Sequence, residues 1–343
     1  MGSKANKANN VEEKKSLENL LNNELTSKEI VNDWHAYYDS YNNTFCTFKS
    51  INNIVYLIYS TKDKSIIFMD LINNQKLNEV KEAHNEEISS FRHYLDETNN
   101  KDLLMSLSRY NLKIWDINNN YECKLELSKE SFLSSACFLN DKNQIYIATA
   151  YFESAIKSKP ITIFDLNGNK VKEINDSNEG KFYIEVYNKN SKNYIITANS
   201  GSSISYDYSK NKVYNLYTDG DVKYHKSILV TNDNKLIISS EDGTLKIFNF
   251  NSGKLLKKIQ NKSDDKFYAT CLWNNEYFFT STFSEIKLLD IKTGEIVKHF
   301  SFVDYSILSN KKIKHPEYGD SIITQGNGDK SHIFIWTIKN DKN

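Results

Sequence analysis

The chain has 343 residues, and its 44 basic and 44 acidic side chains give a formal net charge of zero. This balance excludes a strongly basic nucleic-acid-binding protein, so we expect no nucleic acid among its partners. Apolar residues make up 39% and aromatic residues 13% of the chain, which is enough for a packed core and excludes a globally disordered protein.

Asparagine is unusually common in this chain. There are only 11 Gly and 2 Pro, whereas Asn occurs 44 times. After Gly, Asn is among the residues that most readily take the left-handed backbone conformation, and its side chain can close a turn. We therefore expect Asn to form many of the turns that Gly and Pro usually form. The predicted turns contain Asn73-Asn74, Asn118–Asn120, Asn167, Asn232 with Asn234, and Asn274-Asn275.

The first residues resemble a signal for N-myristoylation. Gly2 follows the first Met, a small residue comes next, and Lys7 lies nearby. The strict form of the signal has Ser or Thr where this chain has Asn6, and such a start also arises by chance. We expect contact with a membrane only if Gly2 is acylated. Because Met1–Leu21 contains no secretory signal, the expected compartment is the cytoplasm.

Residues 10–33 predict a short helical extension. Four leucines recur at helical spacing beside charged residues, namely Leu17, Leu20, Leu21 and Leu25. Thr26–Glu29 has the sequence of a capping box and predicts the start of a second helical turn. The sequence leaves open whether this helix packs on the rest of the chain or binds a partner.

A short pattern of alternating apolar residues, which often ends in an aromatic residue and Asp, recurs seven times. The seven segments are Ser65–Asp70, Asn111–Asp116, Ile161–Asp165, Ser202–Asp207, Thr244–Asn249, Glu285–Asp290 and His332–Thr337. Their last residues lie 41 to 49 positions apart, close to the period of about 40–45 residues for a four-stranded propeller blade. The sequence therefore predicts an all-β, seven-bladed β-propeller.

Residues 35–340 resemble the WD40-repeat family, with divergent repeats. The match is strongest over Leu236–Phe248, where a second strand, a Glu-Asp-Gly turn and a third strand follow each other. Trp115-Asp116 is the one literal Trp-Asp dipeptide, and Ala83-His84 stands where the family has Gly-His. We expect the family's hydrogen-bonded Asp–His–Ser–Trp network to be incomplete, because Arg109 occupies the Asp position in the repeat that contains the Trp.

Each repeat is predicted to form an inner, a second, a third and an outer strand. In the fifth repeat these are Ser227–Val230, Lys235–Ser239, Thr244–Phe250 and Lys254–Ile259. No outer strand follows the seventh third strand, and an open ring would expose two unpaired sheet edges. Trp34–Tyr38 is therefore predicted to supply the missing strand. The expected organisation is a polar tail and helix over residues 1–33 and a closed propeller over residues 34–340.

No motif for catalysis, metal binding or cofactor binding is present. The seven His residues have no metal-ligand spacing, and the chain has no phosphate-binding loop or nucleophile elbow. We therefore expect no metal and no cofactor. Four cysteines lie far apart in apolar segments and are expected to be buried reduced thiols: Cys46, Cys123, Cys137 and Cys271.

The inner strands of a propeller can still bring distant residues together around one channel, where a catalytic set would be invisible in the sequence. Glu185 and His225 are the titratable residues of the inner-strand regions that stand out. A satisfied polar group at a strand end is the simpler interpretation of each.

A basic residue followed by two ring-bearing residues recurs at three junctions between an outer strand and the next inner strand. The rings belong to Phe182, Tyr183, Tyr224, His225, Phe267 and Tyr268. The resemblance implies that loops of this face bind peptides or proteins, so these six residues are the predicted partner-binding site. Rings beside cations suit an apolar anchor with an acidic neighbour. The alternative is that at least one ring of each pair packs between blades.

The sequence thus predicts a non-catalytic scaffold that binds a protein or peptide on one propeller face, as a monomer or as a subunit of a larger complex. One alternative is a signalling subunit similar to the G-protein beta subunit, which pairs through a helix that precedes its blades. Another is a propeller enzyme. Acids and His converging in the channel would favour the enzyme, whereas aromatic residues and Lys would favour the scaffold.

Overall fold

A computed structural model of the chain describes residues 16, 18–22, 25–31, 44–128, 133–151, 159–175, 181–199, 201–220, 225–240, 242–261, 266–282, 285–301, 306–327 and 331–338. Within these ranges, 28 strands form seven four-stranded antiparallel sheets. The sheets are the blades of a seven-bladed β-propeller, so the predicted fold class is confirmed.

Blades 1 to 6 are each built from four consecutive strands, which run in chain order from the inner to the outer position. Blade 1 contains β2 (Cys46–Lys49), β3 (Val55–Ser60), β4 (Ile66–Asp70) and β5 (Gln75–Val80). Blade 2 contains β6 (Ile88–Asp96), β7 (Lys101–Ser108), β8 (Asn111–Asp116) and β9 (Glu122–Ser128). Blade 3 contains β10 (Leu133–Asp141), β11 (Gln144–Tyr151), β12 (Ile161–Asp165) and β13 (Lys170–Ile174).

The remaining blades follow the same order from inner to outer strand. Blade 4 contains β14 (Lys181–Lys189), β15 (Lys192–Asn199), β16 (Ser203–Asp207) and β17 (Lys212–Tyr217). Blade 5 contains β18 (His225–Val230), β19 (Lys235–Ser240), β20 (Thr244–Asn249) and β21 (Leu255–Gln260). Blade 6 contains β22 (Thr270–Leu272), β23 (Tyr277–Ser281), β24 (Glu285–Asp290) and β25 (Ile296–Ser301). Blade 7 contains β26 (Ser306–His315), β27 (Gly319–Asn327), β28 (Ser331–Ile338) and β1 (Leu25–Val31).

The recurring sequence pattern marks the third strand of every blade. All seven predicted segments coincide with these strands, from β4 in blade 1 to β28 in blade 7. Third strands are paired on both sides and almost completely buried; in β4 and β16 every residue is buried. Apolar and β-branched residues are favoured at such positions, which is why the period survives in a divergent sequence.

The ring is closed by a strand from the amino-terminal part of the chain. β1 runs antiparallel to β28, with Leu25 opposite Ile338 and Val31 opposite Ile333. The closing strand was predicted at Trp34–Tyr38, which lies outside the described residues. The strand that pairs with β28 lies earlier in the chain, at Leu25–Val31. Pairing of β1 covers the edge that β28 would otherwise expose.

The predicted helical extension over residues 10–33 was wrong in its second half. Thr26–Glu29 does not begin a helical turn but forms the centre of strand β1. Residues 16 and 18–22 are helical, which makes one short helix rather than a helical extension. Its Leu20 is completely buried in the cluster shared by blades 6 and 7. Lys298 Nζ donates a hydrogen bond of 3.0 Å to the Leu20 carbonyl, which ties the helix to β25.

Asn forms many of the turns, as expected. Thirteen non-glycine residues have positive φ in the described part of the chain, and eight of them are Asn. Three of the five predicted turns contain such a residue, at Asn74 (φ 51°), Asn120 (φ 52°) and Asn234 (φ 65°), whereas Asn167, Asn274 and Asn275 do not have positive φ. The low Gly content is therefore compatible with a fold that needs many tight turns.

The propeller has two faces. On the front face, each outer strand leads into the next inner strand and the second strand turns into the third. On the back face, the inner strand turns into the second strand and the third into the outer strand. Apolar side chains of neighbouring blades share common cores between these faces, as Leu112 and Ile114 of blade 2 do with Ile147 and Phe164 of blade 3.

A buried hydrogen-bond network stabilises the front face of blade 2. His84 precedes β6, and its Nε2 lies 2.7 Å from the Ser106 hydroxyl. The Trp115 indole N–H donates to the same hydroxyl at 2.8 Å. Ser108 Oγ lies 3.1 Å from His84 Nδ1. The network therefore links His84, Ser106 and Trp115, and Ser108 is the second partner of the imidazole.

We expect this network to make the protein sensitive to acid. Burial lowers the pKa of His84 from about 6.5 to about 3, with a smaller contribution from Lys113. The neutral imidazole is therefore favoured in the folded state, and its contribution is lost as the pH falls below 6.5. At pH 5 the loss should be about 2 kcal/mol, at about 1.4 kcal/mol per pH unit. Urea midpoints at pH 7 and pH 5 should differ less for His84→Gln than for the wild type; an equal difference would contradict this assignment.

Candidate binding site around the central channel

An ion pair joins the inner strands of blades 2 and 4 in the channel. Arg92 Nη1 of β6 lies 2.6 Å from Glu185 Oε2 of β14, and Arg92 Nη2 donates to the Ile184 carbonyl at 3.0 Å. The Tyr183 hydroxyl donates to Glu185 Oε2 at 3.0 Å, and the guanidinium lies 5.1 Å from the centre of the Tyr183 ring. The three side chains therefore hold each other in place.

Both members of this pair are charged at neutral pH. Burial alone would raise the pKa of Glu185, but Arg92 and the Tyr183 hydroxyl bring it below its ordinary value. Burial likewise opposes the charge on Arg92, whereas Glu185 raises the pKa of Arg92 above its ordinary value. Glu185 is thus a satisfied polar group, in the middle of an inner strand rather than at its end.

A cavity of about 280 Å³ lies in the channel on the side of blades 4 to 7. Four inner strands contribute to it, and its polar lining includes Glu185, Ser227, Thr270, Asn310 and Lys311. The Ser227 hydroxyl lies 3.2 Å from that of Thr270. Asn310 donates from Nδ2 to the Ala269 carbonyl at 3.3 Å, while its Oδ1 is buried without a hydrogen-bond partner in the described part of the chain. We call this space the channel cavity.

Lys311 is the cation of the channel cavity. It lies near the middle of β26, and its side chain is partly buried. Its Nζ has no hydrogen-bond or ion-pair partner among the described residues, in contrast to the neighbouring Lys312, which donates to the Trp273 carbonyl at 2.7 Å. Burial and the nearby Arg92 lower the pKa of Lys311. The ammonium is therefore poorly compensated by the protein itself.

Three of the four cysteines lie on inner strands and are buried, as predicted for Cys46, Cys137 and Cys271. Burial raises the pKa of Cys46 to about 11 and that of Cys271 to about 12, so these thiols are protonated at neutral pH. Cys123 was predicted to be buried, but it is exposed on the outer strand β9. An outer strand is paired on one side only, which explains the difference.

A second and larger cavity of about 780 Å³ opens on the back face between blades 2, 3 and 4. We call it the back-face groove; its lining includes Tyr94, Phe138, Asn140, Asn143, Asn188 and Asn193. Glu185 and Val186 line both the groove and the channel cavity, so the two spaces adjoin each other.

The walls of the back-face groove combine amides with an aromatic pair. The Tyr94 and Phe138 ring centres are 5.3 Å apart. Asn140 Nδ2 donates to the Tyr94 hydroxyl at 2.5 Å, and Asn193 Nδ2 donates to the Asn140 carbonyl at 2.7 Å. Asn188 Nδ2 donates to Asn193 Oδ1 at 3.2 Å. The groove therefore presents both hydrogen-bond donors and acceptors beside an apolar surface.

The structure describes three of the six predicted partner-binding side chains. Tyr183 is half-buried and lines the channel cavity. Tyr268 is half-buried, and its backbone N–H donates to the Ser281 carbonyl at 2.9 Å. Phe267 is only 1% exposed and packs in the core shared by blades 5 and 6. Phe267 therefore packs between blades, as the alternative interpretation of the sequence expected for at least one ring of the Phe267–Tyr268 pair.

The other predicted positions are described in part or not at all. Phe182 lies in β14 and His225 at the start of β18, but their side chains are outside the described part of the structure. Tyr224 and Gly2 are outside it altogether. The predicted roles of these residues in partner binding and lipidation therefore stay predictions.

The sequence analysis missed Arg92 and Lys311. One signal for Arg92 was present, because the chain has only two Arg residues among its 44 basic side chains. Lys311 had no such signal. It is one Lys among many, and only the closed ring brings it near residues from four other blades.

The chain matches no protein-family model, and no curated protein is significantly similar to it in sequence. Among the described residues, no group of three or more His, Cys, Asp and Glu side chains is placed to hold a metal ion. The described part of the chain also contains no helix that is long and apolar enough to cross a membrane.

Proposed function

We propose that this protein is a non-catalytic scaffold that binds a peptide segment of a protein partner in the back-face groove. The observation that carries this proposal is the groove itself, with its volume of about 780 Å³ and its lining of amides and paired rings. Binding pockets typically measure about 300–1,000 Å³ and combine apolar surface with a few directed polar groups.

A peptide is the ligand that these walls suit best. Asn side chains donate and accept hydrogen bonds, so they match the alternating N–H and C=O groups of an extended backbone. Asn140, Asn143 and Asn188 are exposed and therefore accessible. The Tyr94–Phe138 pair offers a flat apolar surface for a ligand side chain, which fits aromatic anchors at interfaces.

We also propose that the propeller is of the WD40 type. The His84–Ser106–Trp115 network of blade 2 supports this assignment, because the family resemblance implies these residue types in these roles. In blade 7 the Trp336 indole N–H donates to Thr324 Oγ1 at 2.7 Å, which repeats the link between the third and second strands.

The lining of the channel favours a scaffold over an enzyme. Its cavity combines Tyr183, Tyr187 and Lys311 with Glu185, whose carboxylate is already paired with Arg92. Pairing through an amino-terminal helix, as in a G-protein-beta-like subunit, has less support, because the apolar Leu20 of the short helix is already buried against blades 6 and 7.

A bulky side chain in the back-face groove should abolish peptide binding. Peptides selected from a display library on the wild-type protein should bind Asn188→Trp at least tenfold more weakly, because the indole would occupy the groove. The matched control is Asn232→Trp. Asn232 is also an exposed Asn at a back-face turn, in blade 5, but it does not line the groove. The measurement is fluorescence polarisation with labelled peptides.

Two results would count against this proposal. The first is equal affinity of the selected peptides for Asn188→Trp and Asn232→Trp. The second is loss of binding in Tyr268→Ala with no change in Asn188→Trp, which would move the binding site to the predicted front-face residues. Unchanged melting temperatures of the variants would show that the folded propeller is being compared in each case.

A further inference from the structure

Among the described residues, the positive charge of Lys311 in the channel is not balanced by a carboxylate of its own. Glu185 faces Lys311 from β14, but its carboxylate is committed to Arg92 at 2.6 Å and to the Tyr183 hydroxyl. The other titratable groups that face Lys311 are the protonated thiols of Cys46 and Cys271. Arg92, Lys311 and Glu185 together therefore leave a single excess positive charge.

An uncompensated ammonium in a desolvated site is costly, and an anion beside it offsets this cost. Lys311 lines the channel cavity of about 280 Å³, so space for such an anion is present beside this residue. The hydroxyls of Ser227 and Thr270 line the same cavity and share a hydrogen bond, which leaves one of them able to donate to an anionic oxygen.

The size and the charge of the cavity restrict the anion. A volume of about 280 Å³ lies just below the usual range for ligand pockets, which suits a single side chain better than a larger ligand. One excess positive charge matches a monoanion. A dianion would in addition be repelled by the Glu185 carboxylate, which lines the cavity.

We propose that the channel cavity binds a carboxylate that pairs with Lys311, and that this carboxylate belongs to an acidic side chain of the peptide held in the back-face groove. Glu185 and Val186 line both spaces, so a peptide in the back-face groove lies close to the channel cavity. The second part rests on the proposed function, whereas the carboxylate site itself does not.

Butyrate is the probe for the carboxylate site. Calorimetric titration of the wild-type protein with sodium butyrate, with chloride replaced at constant ionic strength, should show saturable binding. Lys311→Met should weaken the butyrate affinity at least tenfold. Lys314→Met is the matched control, because Lys314 is an exposed Lys three residues further along β26. Lys311→Met should fold normally, since it removes an uncompensated charge and keeps the length of the side chain.

A second experiment, with peptides, tests whether the carboxylate belongs to the bound peptide. Peptides selected on the wild-type protein should lose at least tenfold in affinity when their Asp and Glu residues are replaced by Asn and Gln, and butyrate should compete with them. Butyrate binding that depends on Lys311 but does not compete with peptide would overturn the peptide as the source. If neither butyrate nor acidic peptides depend on Lys311, the whole inference is overturned. Peptide binding that still depends on Asn188 would leave the proposed function intact in that case.

Discussion

Deletion of residues 1–31 is expected to lower the melting temperature by about 7 °C and to reduce solubility. The deletion removes β1, which pairs with β28 along its whole length, and exposes that edge. It also removes Leu20 and Val31, whose side chains are almost completely buried. Each of these two buried side chains contributes about 2 kcal/mol to the free energy of unfolding. Leu21, Leu25 and Ile30 are partly buried and contribute less, so the total loss is about 5 kcal/mol. With an unfolding entropy of about 2.1 cal/mol/K per residue, 1 kcal/mol corresponds to about 1.4 °C in a chain of 343 residues.

The control for this deletion removes only residues 1–15 and keeps the short helix and β1. It should melt like the full chain. A 1–31 deletion that also melts like the full chain would show that β1 does not close the ring.

A disulfide between β1 and β28 tests the register of these two strands without removing any residues. Thr26 lies opposite Thr337, with their hydroxyl oxygens 3.2 Å apart. In a Cys123→Ser background, Thr26→Cys with Thr337→Cys should oxidise within one chain and stabilise the fold by about 5 kcal/mol, because the bridge closes a very long loop. Mass spectrometry and melting curves provide the readouts. Failure to form the bridge would contradict the observed register.

The second large effect concerns a buried charge cluster on the front face of blade 5. Lys246 Nζ is completely buried and lies 2.7 Å from Asp219 Oδ1, while Lys258 Nζ lies 3.0 Å from Asp219 Oδ2. Asp219→Asn would remove the carboxylate at 2.7 Å from Lys246 Nζ, while that of Asp242 stays at 4.0 Å. Removing one partner of a buried ion pair typically costs about 3–5 kcal/mol. We expect a loss of this size in the free energy of unfolding, measured by urea denaturation.

Asp233→Asn is the matched control for Asp219→Asn. Asp233 lies 2.8 Å from Lys235, but its side chain is 53% exposed, so the change should cost less than about 1 kcal/mol. Equal losses in the two variants would contradict the role of burial. In the double variant Lys246→Met with Asp219→Asn, part of the stability should return, because the completely buried ammonium is removed together with its partner and the remaining Lys258 is 38% exposed.

The charge cluster also predicts a pH dependence. Burial alone would raise the pKa of Asp219, but Lys246 and Lys258 hold it well below its ordinary value. The stabilisation is therefore complete above the ordinary carboxylate pKa and is lost as the pH falls below it. Asp219→Asn should lose less stability than the wild type between pH 5 and pH 3.

The sequence predicts the propeller well because its third strands repeat the same environment seven times. It predicts the amino-terminal segment poorly because β1 is an outer strand. Residues Thr26–Glu29 of β1 are all exposed, so their side chains carry no alternating apolar signal. The Thr-Ser-Lys-Glu sequence then fits a capping box equally well. Only the partner strand β28, far along the chain, decides between strand and helix.

The side-chain contacts in the channel could not be predicted from the sequence, for a different reason. Arg92 and Glu185 are 93 positions apart, and their contact depends on the angle between blades 2 and 4. The contacts of Lys246 and Lys287 on the front face could not be predicted from the sequence either. Lys246 meets Asp219 from the loop before its blade, and Lys287 donates to Asn261 Oδ1 at 2.7 Å from the corresponding loop. These pairs share a place in the blade, but the acceptor changes from Asp to Asn, so no fixed motif marks them.

The pairing of β1 with β28 has a consequence for the biosynthesis of the protein. β1 leaves the ribosome early, whereas β28 follows about 300 residues later. At a synthesis rate of about 5–20 residues per second, β1 waits for roughly 15–60 s without its pairing strand. Six blades can form during this interval from neighbouring strands, but the seventh cannot. A nascent chain stalled before Ser331 should therefore hold an open ring that is a target for chaperones, and release of the last strand should convert it into the closed form.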